Sequence, residues 1–251
     1  MLTWCLLVGA AFLAGGLNAV AGGGTFLTFP ALVFTGTTPL AANATSTVAL
    51  WPGSLASAWG YRSVMNEERG SLAPLIVVSL GGGLAGALLA LATPSEAFET
   101  IVPFLVLFAA VLFTVGDRLR AWLSSLGETP RWVVLAAQVP ISLYGGYLGG
   151  GIGLLMLAAL TLLGGGRDLH RLNGVKSVLG LAINLTATVV FIASGKVEWP
   201  KALAMAVAST VGGYVAARFA LRFDARVVKR FVVVLGWVMT VAFFVKTFAL
   251  G

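Results

Sequence analysis

Ten apolar stretches, cut from one another by charged or turn-forming residues, fill nearly the whole of this chain. They run at about 3–21, 24–36, 40–62, 71–93, 97–117, 131–148, 151–164, 170–194, 198–219 and 227–249. A helix that crosses a hydrocarbon core takes roughly 20 apolar residues, and eight of the ten stretches have at least 18. Charged residues make up 10% of the chain and hydrophobic types 59%, against about 25% charged in a soluble domain. Folded in water, such a chain would have no polar surface to present. In a bilayer, each stretch satisfies its own backbone as a helix. The expected fold class is an all-α integral membrane protein whose ten helices are transmembrane or partly re-entrant.

The formal net charge is +7. In a soluble protein this would point to nucleic acid, but no basic run here is interleaved with aromatics on a polar domain, so nucleic acid is not an expected partner. The basic residues instead sort by side. Loops after the third, fifth, seventh and ninth helices hold Arg62, Arg69, Arg118, Arg120, Arg131, Arg167, Arg171, Lys176, Arg218, Arg222, Arg226, Lys229 and Arg230. The other side holds Lys196, Lys201 and Lys246. By the positive-inside rule the first group faces the cytoplasm and both termini lie on the non-cytoplasmic side of the cell (inner) membrane. Cys5 has no partner with which to form a disulfide within the chain, and a lone thiol makes a poor metal site. Ala19-Val20-Ala21 resembles a signal-peptide cleavage site, but no Lys or Arg precedes Leu13, and a signal peptide wants a positive leading segment. Residues 3–21 are therefore expected to stay as the first helix.

Two halves of the chain echo each other. Gly22-Gly23-Gly24, an apolar run and a turn lead to Asn43-Ala44-Thr45-Ser46. Gly149-Gly150-Gly151, an apolar run and a turn lead to Asn173-Gly174-Val175-Lys176-Ser177. The triplets are 127 residues apart and the asparagines 130, while Pro74 and Gly86 match Pro200 and Gly212 at a spacing of 126. Residues 1–126 and 127–251 thus read as two repeats of five helices in a single transmembrane unit. Five is odd, so the second repeat enters the membrane from the opposite side. Inverted repeats of this kind are common in secondary transporters.

Glycine triplets allow close helix packing, which is also the reading of Gly81-Gly82-Gly83 and Gly212-Gly213. At repeat-matched positions they also read as breaks within the membrane. The short helix after each break, 24–36 or 151–164, would then present N–H groups without intrahelical partners and the positive end of its dipole. Such an end binds anions, and matched broken helices point to a transporter's site. The candidates around these ends are Gly23, Gly24, Thr25, Gly150 and Gly151. Asn18, Asn43, Asn173 and Asn184 fall in or beside apolar helices, where a polar amide needs a partner; they read as helix glue, caps or ligands. Thr45, Ser46, Thr47 and Ser177 add donors.

Lys176 lies three residues after Asn173, on the same helix face, and mostly apolar residues follow it. It reads either as a charge within the membrane that attracts an anion or as an interfacial lysine that snorkels. Its repeat counterpart is Ser46. His170, the single histidine, reads as a coupling group or an interfacial neighbour. Glu96, Glu99, Asp168 and Glu198 sit at expected helix ends. No carboxylate falls mid-helix to form a proton relay. Neither a nucleotide-binding G-x-x-x-x-G-K-[ST] run nor a His/Cys/Glu metal spacing is present, so no enzyme, cofactor or metal site is expected.

The runs Gly22-Gly23-Gly24-Thr25-Phe26-Leu27-Thr28-Phe29-Pro30 with Ala42-Asn43-Ala44-Thr45-Ser46, and Gly149-Gly150-Gly151 with Leu169-His170-Arg171-Leu172-Asn173-Gly174-Val175-Lys176-Ser177, resemble the two signatures of the TauE/SafE family of sulfite and organosulfonate exporters (TSUP membrane transporters). The second half departs from the pattern: Leu157 stands where the first has Pro30, which implies a less kinked short helix. The resemblance implies transport of sulfite, sulfoacetate or another C2 sulfonate, usually outward and coupled to a proton or sodium gradient. Together the two readings suggest an anion held between two glycine-linked breaks by N–H groups near Gly24 and Gly151, by Asn43 and Asn173, and by Lys176. The alternatives are a carrier or channel for another small anion, such as a carboxylate, and a non-transporting membrane subunit.

Overall fold

The structure, a computed structural model, describes residues 1–20, 23–60, 62–125, 127, 129–162, 169–219 and 225–249. Gly22, Arg167, Asp168 and Arg222 lie outside the described residues, as do the side chains of Arg62, Arg69, Leu169, His170, Arg218, Arg226 and Lys229. Among the described residues the chain forms ten α-helices and no strand. They are α1 (Leu2–Val20), α2 (Thr25–Phe34), α3 (Pro39–Gly60), α4 (Arg62–Ala92), α5 (Ser95–Ser125), α6 (Arg131–Tyr147), α7 (Ile152–Thr161), α8 (Leu169–Ala193), α9 (Trp199–Phe219) and α10 (Ala225–Phe248).

Each apolar stretch has become one helix. The largest differences from expectation are at α4 and α5, of 31 residues each. α4 begins nine residues before the expected 71, and α5 runs eight beyond the expected 117. A cut at charged residues marks where a helix leaves hydrocarbon, not where it ends. Glu, Arg and Leu are good helix formers, so Glu67-Glu68-Arg69 and Arg118-Leu119-Arg120 carry their helices on.

Among the described residues, segments Leu72–Ala92, Ser95–Ser125, Arg171–Ala193 and Arg230–Phe248 are long and apolar enough to cross a membrane. The outer surface is apolar to match: Val77, Leu88, Phe104, Val207, Val234, Val238 and Val241 are exposed. An apolar surface this broad is abnormal in water and ordinary against lipid. The protein is an integral membrane protein.

The principal packing partners are α1 with α9, α4 with α6, α3 with both α8 and α9, α4 with α8, and α5 with α10. Exchanging each helix for the one five places away turns α1–α9 into α6–α4 and α3–α9 into α8–α4. Both long crossings are glycine contacts. At α1–α9, a Cβ on Gly212 would overlap the Phe12 carbonyl, and one on Gly15 the Ser209 carbonyl. At α4–α6, a Cβ on Gly86 would overlap the Leu143 carbonyl, and one on Gly146 the Gly83 carbonyl. Backbone touches backbone, as small residues permit between membrane helices. Gly81 is different: a Cβ there would meet nothing within 4 Å.

α2 and α7 have ten residues each. At 1.5 Å per residue that is about 15 Å, half of a hydrocarbon core. Both are buried along most of their length. Phe26 of α2 meets Phe113 of α5 edge-on at 5.2 Å, and Phe29 stacks on Phe243 of α10 at 5.7 Å. These two half-length helices are held inside the helical shell, with their starts near each other.

Candidate functional site

Each short helix begins at a break stitched by a side chain from the helix before it. In the first, the Gly23 and Gly24 N–H groups donate to Asn18 Oδ1 of α1, at 2.9 and 2.7 Å. Gly23 has a φ of 130°, a conformation open to glycine and few others. In the second, α6 ends as the Leu148 and Gly149 N–H groups both donate to the Tyr144 carbonyl, at 3.0 and 3.2 Å. The Tyr144 hydroxyl then reaches past the break and donates to the Gly150 carbonyl at 2.7 Å. Gly149 and Gly151 have φ of 76° and 79°, so the turn depends on two glycines in the left-handed region. Among the described residues, the N–H groups of Ile152 and Gly153 at the head of α7 have no hydrogen-bond acceptor.

The two breaks face each other. A Cβ on Gly149 would sit 3.9 Å from Thr25 Oγ1, and one on Gly150 3.4 Å from the Phe26 ring. Beside them lies a cavity of about 70 Å³. One water needs roughly 10–15 Å³ on this measure, so the space suits a few waters or one compact oxyanion. Its lining comes from Asn18, from Gly23 and Thr25, from Thr47, Leu50 and Ser54 of α3, from Gly149, Ile152, Gly153 and Met156, and from Lys176, Ser177, Gly180, Leu181 and Asn184 of α8.

Among the described residues, Lys176 is the one charged side chain in that lining. It is 5% exposed, and no described residue supplies it with a hydrogen bond or an ion pair. A buried charge without a partner is costly, and in a membrane span it makes Lys176 a candidate functional group. Together with the open N–H groups of α7 it gives the cavity a positive character.

Of the residues expected at a site, Asn18, Gly23, Thr25, Lys176 and Asn184 line this cavity. Gly24 lies under Asn18 as the cap of α2. Gly150 and Gly151 form the turn before α7, against Phe26 and Phe113. Asn43, Ser46 and Asn173 are not in the lining. Asn43 is 1% exposed and donates through Nδ2 to the Tyr147 carbonyl at 2.7 Å, tying α3 to the end of α6; its Oδ1 has no partner among the described residues. Ser46 and Thr28 share a 2.6 Å hydrogen bond between α3 and α2. The Asn173 carbonyl accepts from Ser177 Oγ at 2.8 Å.

Ser54, Gly153 and Gly180 were not singled out by sequence. A signal for two of them existed. Thr47, Leu50 and Ser54 recur at intervals of three and four, as do Ser177, Gly180 and Asn184, and the two sets stand 130 residues apart. That spacing is one helix face, carried by both halves.

The sequence model of the family described as Sulfite exporter TauE/SafE matches residues 7–243. A probable membrane transporter protein, ORF9, of Sinorhizobium sp. is 29% identical over 226 residues, covering 90% of this chain and 86% of the relative. A probable membrane transporter protein of Haemophilus influenzae is 30% identical over 238 residues, covering 91% and 89%. The probable membrane transporter YfcA of Escherichia coli K12 is 28% identical over 249 residues, covering 94% and 88%. No solved structure matches significantly. These relatives are transporters, not enzymes, and the chain, a membrane transporter, belongs to the TauE/SafE sulfite exporter family.

Proposed function

We propose that this transporter is a secondary exporter of a small sulfur-containing oxyanion, sulfite or a C2 sulfonate, and that the anion binds in the cavity between the two breaks. The observation that carries the reading is Lys176: a buried cation without a counter-charge among the described residues, in one cavity with the unpaired N–H groups of Ile152 and Gly153. A tetrahedral or pyramidal oxyanion offers several acceptors at once, which suits N–H dipoles and one ammonium. One fixed charge also keeps binding weak enough for release. The family's description as a sulfite exporter favours sulfur oxyanions and outward transport.

The working unit in this proposal is the inverted pair of repeats, 1–126 and 127–251, in the inner membrane with both termini outside. The exchange symmetry of the helix packing supports it, as do the matched cavity positions. Two contacts between distant segments agree with the alternation. Lys201, in the first turn of α9, donates to Thr37 Oγ1 in the loop after α2 at 2.8 Å, both assigned outside; Thr129 donates to the Leu162 carbonyl, between segments assigned inside. Such proteins alternate access by rocking one repeat against the other around a fixed site. The coupling ion would be a proton or sodium.

The test is flux of labelled sulfite and sulfoacetate through proteoliposomes under imposed pH and sodium gradients. Saturable, gradient-driven movement of either anion is expected. Movement of neither under any gradient overturns the reading, and equal competition by acetate reassigns the substrate to carboxylates.

A further inference from the structure

The start of α2 already holds a ligand of its own. Asn18 Oδ1 accepts from the Gly23 and Gly24 N–H groups at 2.9 and 2.7 Å, as an anion's oxygen would at a helix start. The carboxamide also covers the approach: a Cβ on Gly24 would lie 2.9 Å from Asn18 Nδ2 and 3.0 Å from its Cγ. The start of α7 has no such cover. The position 127 residues after Asn18 is Gly145, which has no side chain. Lys176, unpartnered among the described residues and nine-tenths buried or more, lines the same cavity. Its counterpart Ser46 is engaged with Thr28. The α2 start keeps one backbone N–H without an acceptor among the described residues, that of Thr25, against two at α7 beside Lys176; the cavity therefore has one strongly anion-seeking end and one largely satisfied end.

We propose that Asn18 is a built-in ligand of α2 that leaves the cavity a single anion subsite, making the transporter selective for substrates with one anionic head over those with two. This deepens the sulfur-oxyanion reading and rests on it. A two-headed anion with one end at Lys176 and α7 must bring its second charge toward the α2 start. There it meets a carboxamide oxygen over the Gly23 and Gly24 N–H groups and a single open backbone N–H among the described residues, that of Thr25, and loses hydration with little compensation. A substrate of similar length with a neutral hydroxyl end avoids that cost. Charge count, not length, is the discriminating property.

The experiment is competition against labelled sulfite in proteoliposomes by isethionate, a C2 sulfonate ending in a hydroxyl, and by sulfoacetate, a C2 sulfonate ending in a carboxylate. Isethionate is expected to compete better with the native protein. Asn18→Gly copies the matched residue of the second half and frees two N–H groups, so sulfoacetate should gain about tenfold relative to isethionate. Asn18→Asp still accepts both N–H bonds and should give sulfoacetate no gain; it carries the test if the glycine variant does not assemble. The proposal is overturned by equal competition in the native protein, by an unchanged ratio in Asn18→Gly, or by a sulfoacetate gain in Asn18→Asp. Sulfoacetate flux without sulfite flux overturns this proposal alone; flux of neither anion in the native protein overturns the broader reading, and this one with it.

Discussion

At the α1–α2 break, Asn18 reaches forward and accepts from the N–H groups of Gly23 and Gly24; at the α6–α7 break, Tyr144 reaches forward and donates to the carbonyl of Gly150. The helices that follow are alike in length, ten residues each, though Gly24 caps α2 in the right-handed region and Gly151 caps α7 in the left-handed one. The breaks also differ in which backbone group the stitching side chain uses up. Asn18 takes up two donors and partly quenches the positive end of α2. Tyr144 consumes an acceptor and leaves the donors of α7 exposed to the cavity that Lys176 lines. Two matched breaks can thus share a scaffold while their chemistry diverges through single side chains.

The largest expected effect tests whether the halves are built alike. Gly146→Val and Gly212→Val each force a branched side chain into a neighbouring backbone, at about 3 kcal/mol or more. Thermal unfolding in detergent should show similar losses, whereas Gly81→Val, facing open space, should stay within about 0.5 kcal/mol. Tolerance at one crossing alone would break the correspondence of the halves.

The next tests the functional side of the contrast. Lys176→Met is expected to lower sulfite flux at subsaturating concentration by about 10- to 100-fold, the worth of a charge-assisted contact, with fold intact by size exclusion. Unchanged flux and affinity would remove Lys176 from the site.

Asn43 separates structural from binding roles. Asn43→Leu breaks its bond to the Tyr147 carbonyl and should cost about 1–3 kcal/mol of stability. The affinity of protein that remains folded should change little; a loss of affinity without loss of stability would place Asn43 in the site. The smallest effect is expected at Asn184, which lines the cavity, as does the repeat-matched Ser54. Asn184→Ser should weaken anion affinity by about 2- to 10-fold, the range of one neutral hydrogen bond.

Much of this architecture was legible residue by residue. Ten apolar stretches became ten helices because bilayer thickness sets a length and the backbone must pair with itself. The paired triplets marked both breaks, since a turn with φ of 76° to 130° calls for glycine. Asn18, Thr25, Lys176 and Asn184 stood out as polar groups in apolar runs, and they line one cavity.

Their duties were not legible. Asn18 and Asn43 look alike in sequence, yet one caps a helix five or six residues on and the other bonds a carbonyl 104 residues away. Gly153 and Gly180 carry no side chain to announce a site; they line it because α7 and α8 abut there. Helix length, apolar periodicity and glycine breaks are local properties, set by a segment and its solvent. Which donor stays open is a competition among groups brought together by packing, and at these two breaks Asn18 and Tyr144 settle it in opposite ways.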